Sequence, residues 1–191
     1  MTVLLTAFDP FGGESTNASQ QVLEALPDRA AGAELAKLLL PTAFRAAGEE
    51  AVDAAERIRP DCILSLGQAA GRKALTPERV AVNLMDARIP DNAGFQPKDE
   101  PVVPGGPAAY FSTLPVKAMV KAIAEAGVPA QASLSAGSFV CNSLMYTLLH
   151  WAAVRAPEVR CGFMHLPLLA DLGQEQALRG LLAAMEVLAE G

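Results

Sequence analysis

In the stretch SAGSFVCNSLMYTLLH, residues 135–150, a glycine-containing turn leads into an apolar run of helical character, and Cys141 stands at the join. The first N–H groups of a helix lack internal acceptors and carry partial positive charge. A thiol placed there is expected to lose its proton more readily, and the thiolate is the form that attacks a carbonyl. A free cysteine is also often just a small buried hydrophobe, and position alone leaves both roles open. Cys62 and Cys161 sit early in apolar strands and are expected in the core.

A cysteine nucleophile needs a base, and the chain has two histidines. His165 closes the run CGFMH at a strand end and is the main candidate. His150 falls about two and a half turns into the helix that Cys141 opens, too far to reach the thiol. Taken singly, Glu78 in TPERV, Arg72 and Arg88 would be solvated surface charges. The run GQAAGR, residues 67–72, has neither a Walker lysine nor the G-x-G-x-x-G spacing, so it does not describe a nucleotide loop.

These residues must be held by a framework, and strand and helix signals alternate throughout. Strands are expected at Val3–Ala7, Glu34–Leu40, Cys62–Leu66, Val80–Leu84, Ala130–Ser135 and Val159–His165. Helices are expected at Ser19–Leu26, Phe44–Ile58, Val116–Ala126, Asn142–Ala156 and Glu175–Glu190. Apolar residues at Phe44, Ala47, Ala51, Ala55 and Ile58 recur at helical spacing. The alternation predicts an α/β fold, a largely parallel sheet with helices on both faces and no domain linker within residues 1–191. Sites on such sheets form at the C-terminal strand ends, here after Ala7, Leu66, Ser135 and Gly162. Residues 89–115 are rich in proline, which forbids a long helix or central strand. They are expected to form an extended excursion from the core, serving as a lid or a subunit contact.

Composition excludes several classes. Fifteen Lys and Arg against 21 Asp and Glu give a net charge of −6. That argues against nucleic-acid and anionic membrane partners, which need basic surfaces. The opening MTVLLTAFD lacks a basic region and a cleavage site, so a buried first strand is expected rather than a signal peptide. Residues 126–154 carry no Asp, Glu, Lys or Arg, but their proline, serines and change of period predict a strand, a turn and a buried helix. Three cysteines without paired spacing predict reduced thiols and a cytoplasmic location. No metal-ligand cluster is visible, and no cofactor is called for.

Four blocks, in order, resemble the pyroglutamyl peptidase I family of cysteine peptidases. They are LLTAFDPFGGESTNAS, SLGQAAGRKALTPERVAVNLMDARIPDN, SAGSFVCNSLMY and GFMHLPLL. The resemblance spans nearly the whole chain. It implies a single three-layer α/β/α domain over residues 1–191 with a mostly parallel, mixed central sheet. It implies Cys141 as nucleophile, His165 as acid and base, Glu78 orienting His165, and Arg88 with the Cys141 N–H stabilising an oxyanion. It further implies a lactam pocket lined by Phe8, Phe11, Thr42, Gln68, Ile89, Phe139 and Val140. The implied substrates are pyroglutamyl peptides, and the implied assembly is a homotetramer or homodimer. The chain departs from the family at Ala18, where Pro is common, and at Ser138, where Thr is frequent. Gln68 is expected to offer a lactam both a donor and an acceptor. Two other functions would keep parts of the pattern: a cysteine amidase or esterase with another acyl group, and a non-catalytic binding protein.

Overall fold

The computed structural model describes residues 1–190. Its main sheet has six strands in the order β2-β3-β1-β4-β8-β5. They are β1 (Thr2–Phe8), β2 (Arg29–Ala30), β3 (Ala33–Leu40), β4 (Cys62–Gln68), β5 (Thr76–Pro77) and β8 (Arg160–Leu166). The four inner strands run parallel, and the short outer strands β2 and β5 run antiparallel to their neighbours. Strands β6 (Val80–Val82) and β7 (Ala109–Phe111) form a separate antiparallel ribbon.

Strands buried on both faces need apolar residues at nearly every position, and β1 and β4 have them. Leu4, Phe8, Ile63, Cys161 and Phe163 pack on one face against α2 (Phe44–Ile58) and α4 (Val140–Arg155). Val3, Leu5, Leu64, Leu66 and Met164 pack on the other face. That face is covered by α1 (Ala18–Ala25), α3 (Val116–Glu125) and α6 (Gln174–Glu190), with the single turn α5 (Leu169–Leu172) preceding α6. The molecule is thus the three-layer α/β/α arrangement expected, with a mixed sheet.

Two expectations need correction. Residues 130–135 form no regular strand: they touch the sheet edge only through single bridges, Leu75 to Ala130 and Glu78 to Ser133. Residues 80–84 give only the short β6, which lies outside the main sheet. Both segments have strand-like composition, but residues 130–135 meet only the short edge around β5, and residues 80–82 find their partner in β7 instead of the main sheet. The stretch free of charged residues divides between this edge and α4, and no described helix is long and apolar enough to cross a membrane.

The proline-rich segment returns to the core instead of leaving it. Val102 and Val103 pack on the α2–α4 side, and Phe95 meets Phe44 edge to face at 6.0 Å. Asp91 fastens it. Helix α2 begins after Ala43, which has no capping side chain. The Asp91 carboxylate takes its place, accepting from the N–H of Phe44 at 2.9 Å and from the N–H groups of Ala93 and Phe95 at 2.9 and 2.8 Å.

Candidate active site

The site gathers at the C-terminal ends of β1, β4 and β8. Gly137, with φ of 82°, turns the chain before α4, and its N–H donates to the Ser135 hydroxyl. Ser138 then holds the loop, donating to the Asp86 carbonyl at 2.7 Å while accepting an N–H bond from Asp86 at its own carbonyl. The Asn142 side chain exchanges hydrogen bonds with both backbone groups of Val82, at 2.9 Å each, and donates to Leu84. Cys141 is therefore held in the first turn of α4 by a loop pinned on two sides. Phe139 supplies no side-chain cap to that helix. The N–H groups of Val140, Cys141 and Asn142 consequently precede the first intrahelical bond, which runs from Ser143 to Phe139.

Gly67 fixes where the sulfur lies. A Cβ added there would stand 2.9 Å from the Cys141 sulfur and 2.7 Å from the Phe163 ring. Gly67 pairs with His165 in the β4–β8 register, so the thiol lies over the strand position beside the imidazole. The Phe163 and His165 rings are 4.8 Å apart. His165 is 4 % exposed and bonds through Nδ1 to Glu78 Oε1 at 2.7 Å. With Nδ1–H given to the carboxylate, Nε2 is left with a bare lone pair.

Glu78 is fully buried. Its N–H donates to the Phe163 carbonyl at 2.8 Å, which docks it on the strand carrying His165. Its Oε1 also accepts from Arg72 Nη1 at 2.6 Å. Arg72 and Glu78 are the residues whose importance their own sequence contexts hide. Proline and charges around Glu78 resemble a surface turn, and nothing in GQAAGR announces that Arg72 folds back onto it. The arginine at a fixed six-residue offset from the glutamate is the one available signal.

Burial dominates the protonation of the pair. It pushes the Cys141 thiol up to about 12. The Glu78 charge adds to that rise, while Arg72 and the thiol's own backbone N–H oppose it. Burial also lowers His165, and the Glu78 hydrogen bond and charge only partly offset this. Both shifts favour the uncharged forms, a thiol beside a neutral imidazole, and so oppose the ionisation that a helix start alone would promote. Burial likewise pushes Cys62 up to about 12. What separates Cys141 from the other cysteines is its half-buried position, against 0 % exposure for Cys62 and 1 % for Cys161. His150 is engaged elsewhere, its Nδ1 2.9 Å from the Tyr110 hydroxyl.

The remaining expected site residues divide. Phe11 and Phe139 meet at 5.9 Å, and Phe139 meets Phe44 at 5.1 Å, forming an aromatic wall. Ile89 is 46 % exposed and its Cδ1 would lie 3.7 Å from a Cβ at Gly12, at the rim of the loop after β1. Thr42 binds Asp9, donating its N–H to the carboxylate at 2.7 Å and its hydroxyl to the carbonyl at 3.0 Å. Phe8 and Val140 lie within the α2–α4 core. Arg88 lies on the exposed stretch 88–90 and makes no ion pair or hydrogen bond among the described residues.

The N–H of Ala18 donates to Gln68 Oε1 at 2.7 Å, which fixes the orientation of the carboxamide. One lone pair of that oxygen and both amide N–H donors remain for a ligand. A surface concavity of about 780 Å³ lies at the opposite end of the sheet beside Pro60 and Trp151, and its lining includes no nucleophile.

A buried carboxylate orienting an imidazole, next to a thiol at a helix start, is the constellation of a cysteine-type hydrolase working by acyl transfer. Comparison with known proteins agrees. The family model for pyroglutamyl peptidase matches residues 1–187. The pyrrolidone-carboxylate peptidase of Levilactobacillus brevis is 48% identical, with 98% of this chain and 97% of that protein covered. That of Thermococcus onnurineus is 49% identical over 93% of this chain and 87% of its own. Pyroglutamyl peptidase I of Bacillus amyloliquefaciens superposes with a TM-score of 0.95 at 39% identity, covering 100% of this chain and 97% of that one. A mutant pyrrolidone carboxyl peptidase from Pyrococcus furiosus gives 0.94 at 39% identity, with 100% and 99% covered. The chain belongs to the pyroglutamyl peptidase family.

Proposed function

We propose that this protein is a cysteine exopeptidase that removes pyroglutamate from the N-terminus of peptides. The observation that carries it is the Cys141 sulfur set over Gly67, beside a His165 oriented by buried Glu78, in a chain of this family. In this mechanism the S–H proton passes to His165 Nε2 as sulfur attacks the pyroglutamyl carbonyl. The N–H groups at the start of α4 receive the oxyanion. Arg88, on the exposed stretch 88–90, is the second donor proposed for it. His165 returns the proton to the departing amine as the C–N bond breaks. It then deprotonates water, which cleaves the thioester and regenerates the thiol.

The substrate ring is an uncharged lactam, and the surroundings suit one. The Phe11–Phe139 wall and the Ile89 rim are apolar, while the Gln68 carboxamide is held in place by Ala18. Its amide N–H donors suit the ring carbonyl, and the ring N–H is left to the second lone pair of Gln68 Oε1 or to a backbone carbonyl. Prolyl peptides keep the ring but lack the ring carbonyl, so they should be poor substrates. Sites built around such a bond reject analogues lacking it by about 10⁴ to 10⁵.

The test is hydrolysis of a pyroglutamyl aminocoumarin amide against glutamyl and prolyl amides. Selective cleavage of the first, abolished in a folded Cys141→Ser variant, is the expected outcome. Equal cleavage of other acyl groups would favour a general cysteine amidase. We further assign the molecule to the cytoplasm, where its three free thiols remain reduced. The assembly proposed is a homotetramer or homodimer, supported by the exposed apolar residues Phe111, Leu134 and Val154 and checked by light scattering.

A further inference from the structure

Arg72 leaves the turn after β4 where Gly71, at φ 85°, reverses the chain. Its guanidinium then spans three groups on separate segments. Nη1 donates to Glu78 Oε1 at 2.6 Å and to the Thr76 hydroxyl, and Nη2 donates to the Ser135 carbonyl at 3.1 Å. Ser135 begins the loop that ends at Cys141. One side chain thus touches both the carboxylate behind His165 and the loop that carries the thiol.

We propose that Arg72 is a positioning residue for the Cys141–His165 pair, its guanidinium fixing Glu78 against the imidazole and tying that couple to the nucleophile loop. The proposal rests on Cys141 and His165 being the reactive pair.

Glu78 needs such a partner. It is fully buried, its Oε2 has no hydrogen-bond partner, and both donors converge on Oε1. A buried carboxylate is stable as an anion only when paired and hydrogen-bonded. Without Arg72, only the imidazole would remain to hold the charge, and Glu78 would compete for the Nδ1 proton. A lysine could supply the charge, but a point charge cannot bridge Glu78 and Ser135 as a planar fork does.

The groups facing the pair are few. His165 on β8 is faced by Glu78 from the β5–β6 link, by Arg72 from the turn after β4, and by Cys141 from α4. Lys73 and Asp171 are close by in sequence to Arg72 and His165 but pair with each other at the surface. The Arg72 charge disfavours protonated His165 and favours ionised Cys141. Removing it must move both titrations upward, whichever of the two sets the acid limb of the rate profile.

The experiment compares wild type, Arg72→Gln and Arg72→Lys by two readouts. One is the pH dependence of iodoacetamide labelling at Cys141, followed by peptide mass spectrometry with buried Cys62 and Cys161 as internal controls. The other is the pH profile of kcat/KM on a pyroglutamyl amide. In Arg72→Gln, labelling should begin at higher pH, both limbs should move up, and kcat should fall about 10²-fold with KM little changed. Arg72→Lys should leave the limbs in place while lowering kcat. An Arg72→Gln protein that loses thermal stability but keeps the wild-type pH profiles would overturn the proposal. If that variant fails to fold, Arg72→Lys decides: wild-type kcat, or displaced limbs, would overturn it. The labelling arm needs no substrate, so a wrong acyl specificity would show itself separately.

Discussion

Gly67→Ala asks whether the thiol owes its place to a missing methyl group. Gly67 has ordinary strand backbone, so the substitution acts through space alone. The new Cβ would stand 2.7 Å from Phe163 Cζ and 2.9 Å from the Cys141 sulfur, where ordinary contact begins near 3.4 Å. Each neighbour must retreat by roughly half an ångström or more, and both have little room. Phe163 is 1 % exposed and packs on Phe8 and His165. The sulfur is the easier group to move, because it is only half buried. Overpacking of this kind costs about 1–3 kcal/mol, a fall in Tm of a few degrees for a chain of this length. Activity should suffer more, since a displacement approaching 1 Å at a reacting atom can cost about 10²-fold. Steady-state hydrolysis of the pyroglutamyl amide, with unfolding followed by circular dichroism, separates the two effects. The expected result is a large loss in kcat, a small change in KM and a folded protein. Wild-type kcat in a folded Gly67→Ala variant would refute the placement of the sulfur against β4.

Glu78→Gln removes the negative charge that raises both Cys141 and His165, so both limbs of the kcat/KM profile should move to lower pH, opposite to Arg72→Gln. Its kcat should fall by about 10² or more, with KM nearly kept, because the imidazole loses its orienting acceptor. Asp91→Ala removes the cap of α2 and should cost about 2 kcal/mol, or about 4–8 °C in Tm by calorimetry. Alkali should also destabilise the fold. Cys62 and Cys141 have ordinary values of 9.0 and are both held near 12, so the unfolded chain releases their protons first. Stability is retained below pH 9 and should decline as pH rises toward 12, and Cys62→Ala should flatten that decline in Tm.

The alternation of apolar strands with amphipathic helices was enough to anticipate helices on both faces of the sheet, and Phe44–Ile58 was bounded from its apolar spacing and the stop at Pro60 and Asp61. The glycine turn and the strand end marked Cys141 and His165 as candidates, but only the family resemblance assigned them, with Glu78, to one site. Local context made Glu78 a surface charge, since a buried carboxylate depends on partners at Arg72 and His165 that only the fold brings near. The direction of the thiol's titration was also hidden: a helix start favours ionisation, but burial outweighs it, and burial is a tertiary property. The failure at 130–135 has the same origin. Strand composition was present, but the segment runs along an edge whose partner strand β5 is only two residues long, so it meets that edge through isolated bridges.

The position of β8 between β4 and β5 bears on how the chain comes into being. His165 and Glu78 are 87 residues apart, and the strand carrying His165 enters the sheet between two strands synthesised long before it. During translation the growing polypeptide therefore holds its thiol with no base beside it until that late strand emerges and docks. Such distant parallel pairing is slow to form. Hydrolytic competence would arise in one step when β8 docks, so fragments released before it would carry the cysteine but not the capacity to cut.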